Sequence, residues 1–148
     1  MKEYGAVYTL TETTKEIVNR TFDNFLINHS SLDNIKCLDF ASGTGRFYFQ
    51  AVCILVDDYS FSLRDVICKK LHAVDIDPIA ISILRCKIIS LFSHIDNGLI
   101  ESIKSNVINR NILIQGSIHL NENEKIFDSS KDFNKVLSNG GFNIIFSN

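Results

Sequence analysis

Two short apolar runs in this chain each end on a carboxylate, and the first passes at once into a glycine turn. Ile35-Lys36-Cys37-Leu38-Asp39 leads into Phe40-Ala41-Ser42-Gly43-Thr44-Gly45, and Leu71-His72-Ala73-Val74-Asp75 leads into Ile76-Asp77-Pro78. Runs this short, apolar on both sides of the pleat, suit strands buried on two faces. Such strands belong to parallel sheets, where each strand must be followed by a crossover before the next. Helical spacing occurs where crossovers are needed, with Phe47, Phe49, Val52, Cys53, Leu55 and Val56 across residues 46–56 and a second apolar stretch at 79–93. Asp77 is placed to cap that second helix. Pro78 falls in its first turn, where a missing N–H leaves no bond unmade.

The rest of the chain extends the alternation. Residues 13–27 predict an amphipathic helix with Ile17, Val18, Phe22, Phe25 and Leu26 inward, and Thr11 or Thr13 as its cap. Residues 60–69 predict a helical turn or two, and Ile100, Ile103, Val107 and Ile108 predict a short helix within 96–110. A third strand is expected at 111–115. A polar, insertion-like loop at 121–138 carries a short helix near 133–137, and a fourth strand at 142–146 is entered through Gly140-Gly141. The fold class is α/β, with a partial parallel sheet of about four strands flanked by helices. One unit spans 1–148, a leading segment and helix at 1–30 followed by β-α units from 35.

Composition sets limits on partners. The 148 residues are 45% hydrophobic and 22% charged, with a net charge of -2. This balance supplies no basic footprint for a nucleic-acid backbone, so any DNA partner is expected to be held largely by regions outside this chain. Cys37, Cys53, Cys68 and Cys86 form no C-x-x-C pair and read as reduced core residues. With the four histidines also scattered, no metal is expected. The apolar stretch from 79 to 92 is interrupted by Ser82, Arg85 and Lys87, so no membrane span is expected, and the expected location is cytoplasmic.

In a doubly wound sheet, ligands bind beyond the carboxyl ends of the strands, where strand order reverses. Asp39, Asp75, Ser117 and Asn148 each fall at or just after an expected strand end. Gly43 and Gly45 permit close backbone approach to a ligand, and Asp75 is placed to accept both hydroxyls of a ribose. Dinucleotide sites add a third glycine where the helix meets the pyrophosphate. Here that position holds Tyr48, which favours a ligand without a pyrophosphate. The plainer reading of the same residues is a tight strand-to-helix turn with no ligand, in which Asp39 only shapes the turn and Phe47, Phe49 and Phe92 are core aromatics.

Asp39-Phe40-Ala41-Ser42-Gly43-Thr44-Gly45 resembles the Asp-Pro-Ala-Cys-Gly-Ser-Gly motif of bacterial N6-adenine DNA methyltransferases. Gly5-Ala6-Val7-Tyr8-Thr9 is similar to their Gly-x-x-Tyr-Thr-Pro segment, with Leu10 in place of the proline. Asp75-Ile76-Asp77-Pro78 matches their Asp/Glu-Ile-Asp-Pro motif. Phe142-Asn143-Ile144-Ile145-Phe146-Ser147-Asn148 resembles the strand that enters Asn-Pro-Pro-Tyr. This order of motifs is similar to that of type I modification subunits and type IIG-like restriction-methylation enzymes.

The resemblance implies a Rossmann-like methyltransferase fold, S-adenosyl-L-methionine as cofactor and DNA as substrate. A specificity subunit, or fused recognition and nuclease domains, would be partners. It implies that Tyr8 and Thr9 hold the methionine end and that Asp39, Ala41, Gly43 and Gly45 place the amino group and sulfonium arm. Asp75 would bind the ribose hydroxyls, and Ile76 would pack on the cofactor's adenine. Ser117 stands where the family has an acid for the adenine amine. Asn148 would accept from the amino group of a flipped target adenine as the catalytic residue. The chain is thus expected to be the cofactor-binding half of a catalytic domain, inactive alone. Methyltransferases of protein glutamine or RNA, and a non-catalytic S-adenosylmethionine-binding module, are the alternatives.

Overall fold

The computed structural model describes residues 11–111, 127–128 and 131–147. In chain order the elements are α1 (Thr11–Asn28), β1 (Cys37–Phe40), α2 (Arg46–Cys53), α3 (Leu63–Asp65), β2 (Leu71–Asp75), α4 (Pro78–Ile89), α5 (Asn97–Asn106), β3 (Val107–Asn109), α6 (Asn134–Leu137) and β4 (Ile144–Ser147). Wider π-helical turns prolong α2 through Ile54–Asp58 and α3 through Val66–Lys70. The fold is α/β, and its four strands form an all-parallel sheet in the order β3-β2-β1-β4.

The pleat sorts the strand residues onto two faces. Cys37, Leu71, Ala73, Ile144 and Phe146 pack into one large core with the apolar sides of α1, α2, α4 and α5. Phe146 stacks on Phe47 with ring centroids 5.9 Å apart and meets Phe22 of α1 at 6.4 Å. Fully burying side chains of this size stabilises by roughly 1.5–3 kcal/mol each, so this face supplies most of the stability. On the other face Leu38, Val74 and Ile108 are covered by Phe133, with Phe127, Val136 and Phe142 around it. Ile145 points to the same side and stays 60% exposed.

The expected helix at 13–27 is α1, but its buried ridge is Thr14, Val18 and Phe22, and Ile17 is exposed. An i, i+4 row fits the groove between neighbours better than the adjacent Ile17-Val18 pair can, and α1 meets α2 along that row. Thr13 lies inside the helix and does not cap it, and Thr11 is its first described residue. Asp77 caps α4 as expected, accepting from the Ile79 amide at 2.8 Å with Pro78 in the first turn.

The third strand differs from expectation. It occupies Val107–Asn109, and α5 ends at Asn106. Val107 and Ile108 continue the helical spacing of Ile100 and Ile103, so periodicity alone assigns them to the helix. Tertiary contacts decide otherwise, because the Asn106 side chain donates to the Ile67 and Cys68 carbonyls at 3.1 and 3.0 Å and ends the helix there. Asn111 forms an isolated bridge, and the remainder of the expected strand at 112–115 lies outside the described residues.

Cys37 is buried, but Cys53 and Cys86 are exposed and Cys68 is half-buried, which corrects the reading of all four as core. Cys53 and Cys86 sit on the outer sides of α2 and α4. Among the described residues no helix is long and apolar enough to cross a membrane.

Candidate functional site

The strand order reverses beside β1. The chain moves outward from β1 to β2 to β3 and then returns to place β4 on the other side of β1. The carboxyl end of β1, with the loop after it, therefore lies at the topological switch point, and β2 ends directly beside it. Asp39, Ala41, Gly43, Gly45, Asp75 and Ile76 are all brought to this end of the sheet. Tyr8, Thr9, Ser117 and Asn148 lie outside the described residues.

The loop is tied to the neighbouring strand before α2 begins. The amides of Ala41 and Ser42 both donate to the Val74 carbonyl, at 2.9 and 3.1 Å. Asp75 closes the tie from the other side, one carboxylate oxygen accepting from the Gly43 amide at 2.6 Å and the other from the Asp77 amide at 2.8 Å. Ala41 has φ 71°, left-handed backbone that costs a non-glycine residue about 1–2 kcal/mol. Three fixed amides hold it there, so the strain sits inside the turn that presents the site.

The two glycines have different reasons to be there. Gly43 has φ +53°, and a Cβ built on it would meet nothing within 4 Å, so its backbone faces open space. A Cβ on Gly45, at φ +89°, would come within 2.4 Å of Leu84 Cδ1 and 3.2 Å of Phe49. Gly45 thus allows α2 to start against α4, whereas Gly43 leaves open space beside its backbone.

Asp39 is 3% exposed and accepts from the Tyr48 amide at 3.0 Å, which satisfies one donor of the first turn of α2. Burial pushes its carboxyl up to about 7. The Tyr48 N–H bond opposes that rise, and the nearby Asp75 charge adds to it. A cationic ligand group beside Asp39 would reverse the effect by favouring the ionised form. Tyr48 stands where a dinucleotide site would have its third glycine, and its ring turns inward. It is 1% exposed in the core between α2 and the sheet, where it takes up the room a third glycine would leave for close helix packing.

Asn109 and Arg110 are absent from the sequence-derived site. Asn109 Nδ2 donates to the carbonyls of Asp75 and Ile76 at 2.9 and 2.8 Å, and the Arg110 amide donates to the Asp75 carbonyl at 2.9 Å. Arg110 also pairs with Asp132 at 2.9 Å, across the chain that returns toward β4. The available signal was a polar side chain directly after the apolar pair Val107-Ile108, which is informative only once that pair is known to be a strand.

A hollow of about 170 Å³ lined by Asn19, Phe22, Asp23, Ile54, Asp58 and Tyr59 lies at the far end of α2 from the glycine loop. It is smaller than the ~300–1,000 Å³ of ordinary ligand pockets and belongs to no strand end.

No family model, curated protein or solved structure matches the chain. Any assignment of chemistry therefore stands on the residues themselves.

These residues suit a ligand of defined type. A Cβ on Gly43 would project into open space, and the buried Ser42 hydroxyl finds no partner among the described residues. An ionised carboxylate has about four acceptor positions, so Asp75 can keep its two amides and still accept two hydroxyls. Buried Asp39 is one loop away and gains from a cation. Open space at Gly43, spare acceptor capacity on Asp75 and the buried carboxyl of Asp39 together suit a hydroxyl-bearing ligand with a cationic group.

Proposed function

We propose that this chain binds S-adenosyl-L-methionine at the carboxyl ends of β1 and β2, as the cofactor-binding part of an N6-adenine DNA methyltransferase with a Rossmann-like methyltransferase fold. The observation that carries the reading is the meeting of Asp39, open Gly43 and Asp75 at the carboxyl ends of β1 and β2, beside the switch point and in the order of the motifs they resemble. Asp75 would accept the ribose hydroxyls, Ile76 would lie against the adenine ring, and Asp39 would sit nearest the cationic arm. Tyr8, Thr9 and Ser117 are proposed for the methionine and adenine ends on the resemblance alone, as is Asn148 for the target base.

When bound, the cofactor supplies a methyl group on a cationic sulfur. The chain's share of the work is to hold and orient, because displacement at that carbon needs alignment more than acid or base catalysis. An extruded adenine, reached by flipping from the duplex, would be the acceptor. Recognition of DNA would rest with a specificity subunit or fused domains, in keeping with the net charge of -2.

Titration calorimetry with S-adenosylmethionine and with NAD tests the reading. Tighter binding of S-adenosylmethionine is expected, and preferential binding of NAD would overturn it.

A further inference from the structure

The carboxylate of Asp75 is useful to a ribose only if the tip of β2 is held at the right height, and a strand end is where a sheet frays. The ladder between β2 and β3 runs from Ala73↔Val107 through Asp75↔Asn109 and then stops. Beyond it, the Asp75 carbonyl accepts from the Arg110 amide at 2.9 Å, and the Ile76 carbonyl is met by one side chain that also reaches Asp75. Asn109 Nδ2 donates to both, at 2.9 and 2.8 Å, one amide hydrogen to each. The opposite amide orientation would set the Asn109 oxygen against two carbonyl oxygens, so the contact also fixes which way this side chain faces.

We infer that Asn109 is the positioning residue for the ribose-binding carboxylate, clamping the Asp75-Ile76 peptide so that Asp75 can hold the Gly43 and Asp77 amides and face the crevice. The inference rests on the reading of Asp75 as the ribose acceptor. It concerns how that acceptor is set, and Asn109 itself touches no ligand. The clamp also acts on Ile76, whose half-buried side chain leaves the sheet directly after the held peptide. A residue on β3 thereby governs two contacts made from β2.

The test uses Asn109→Ala and Asn109→Asp in the whole chain, with two readouts. In the ligand-free protein, amide hydrogen exchange should quicken about ten-fold at Gly43 and Asp77 in Asn109→Ala, and stay unchanged at Tyr48, whose acceptor is Asp39. Asn109→Asp should quicken it further, because a carboxylate would face two carbonyl oxygens. Unchanged exchange at Gly43 and Asp77, or an equal rise at all three amides, would overturn the inference.

In the second readout, Asn109→Ala should weaken adenosine about ten-fold and leave 2′,3′-dideoxyadenosine unaffected. Equal weakening of both nucleosides would overturn the inference, as a loss of general stability affects both alike. If the unaltered chain binds neither nucleoside, the proposed function fails, while the exchange measurement still decides whether Asn109 sets Asp75. Asn109→Thr, which favours a strand and lacks the two-donor amide, serves the same comparisons should the alanine variant not fold.

Discussion

At the residue scale the site is a pair of carboxylates in contrasting surroundings. Asp75 is surrounded by donors from its own chain, whereas Asp39 has one amide and a buried position that pushes it up to about 7. Between pH ~4, the ordinary value for an aspartate, and pH ~7, the folded state holds a proton on Asp39 that the unfolded state has lost. Asp39 therefore lowers stability as pH rises through that window. His72 acts in the opposite sense. Burial among Phe133 and Phe142 pushes its imidazole down to about 4, so stability is lost as pH falls from ~6.5 toward 4. Asp39→Asn keeps an acceptor for the Tyr48 amide and leaves only the His72 effect. Denaturation midpoints should then rise more steeply from pH 5 to 7 in the variant than in the parent chain, and parallel profiles would contradict this account of Asp39. Asp75→Ala should remove most affinity for a ribose-bearing ligand, each charged hydrogen bond being worth ~1.5–3 kcal/mol. Asp77→Ala should cost ~1 kcal/mol of stability as a lost helix cap and leave affinity nearly intact. Equal affinity losses in calorimetry on matched, folded samples would mean that the β2 tip is not where the ligand sits. Asp39, Asp75 and Asp77 were legible in the sequence because each follows or opens a periodic segment. Asn109 was not, because nothing local separates a strand-end asparagine from a helical one.

At the scale of elements, the glycine turn works because α2 can start directly against α4. Gly45→Ala would drive a Cβ to 2.4 Å from Leu84, which is fully buried and has little room to move, at a φ that alanine resists. Overpacking of this kind costs about 1–3 kcal/mol, with ~1–2 kcal/mol more for the left-handed backbone. Gly43→Ala faces open space and should cost only the backbone part. Thermal or denaturant unfolding of the two variants should separate them clearly, and equal losses would contradict the packing role of Gly45. The strand at Leu71–Asp75 and the cap of α4 were readable from residue type and spacing. The join of α5 and β3 was not. Val107 and Ile108 satisfy both periods, and the choice is made by Asn106 reaching to the Ile67 and Cys68 carbonyls, a contact between residues distant in sequence. The π-helical turns were equally hidden, since Ile54 and Leu55 keep their burial in either helical geometry.

At the scale of the whole molecule, alternation of strand and helix was enough to indicate a parallel sheet. What it could not tell was how the two faces divide. The helices α1, α2, α4 and α5 share one face and one core. The other face has a small aromatic cover around Phe133 and an uncovered Ile145 on β4. Strand order β3-β2-β1-β4 then puts the reversal beside Asp39, and the β1-β2 pairing brings the two carboxylates and the open glycine to one end of the sheet. The most direct test of that convergence is a residue-resolved NMR titration of the chain with S-adenosylmethionine. Binding at this crevice predicts the largest amide shifts at Gly43, Asp75, Ile76 and Asp77, with little change around Asn19, Asp58 and Tyr59 at the far end of α2. Saturable shifts centred on that far end, or no saturable shift at Gly43 and Asp75, would contradict the account.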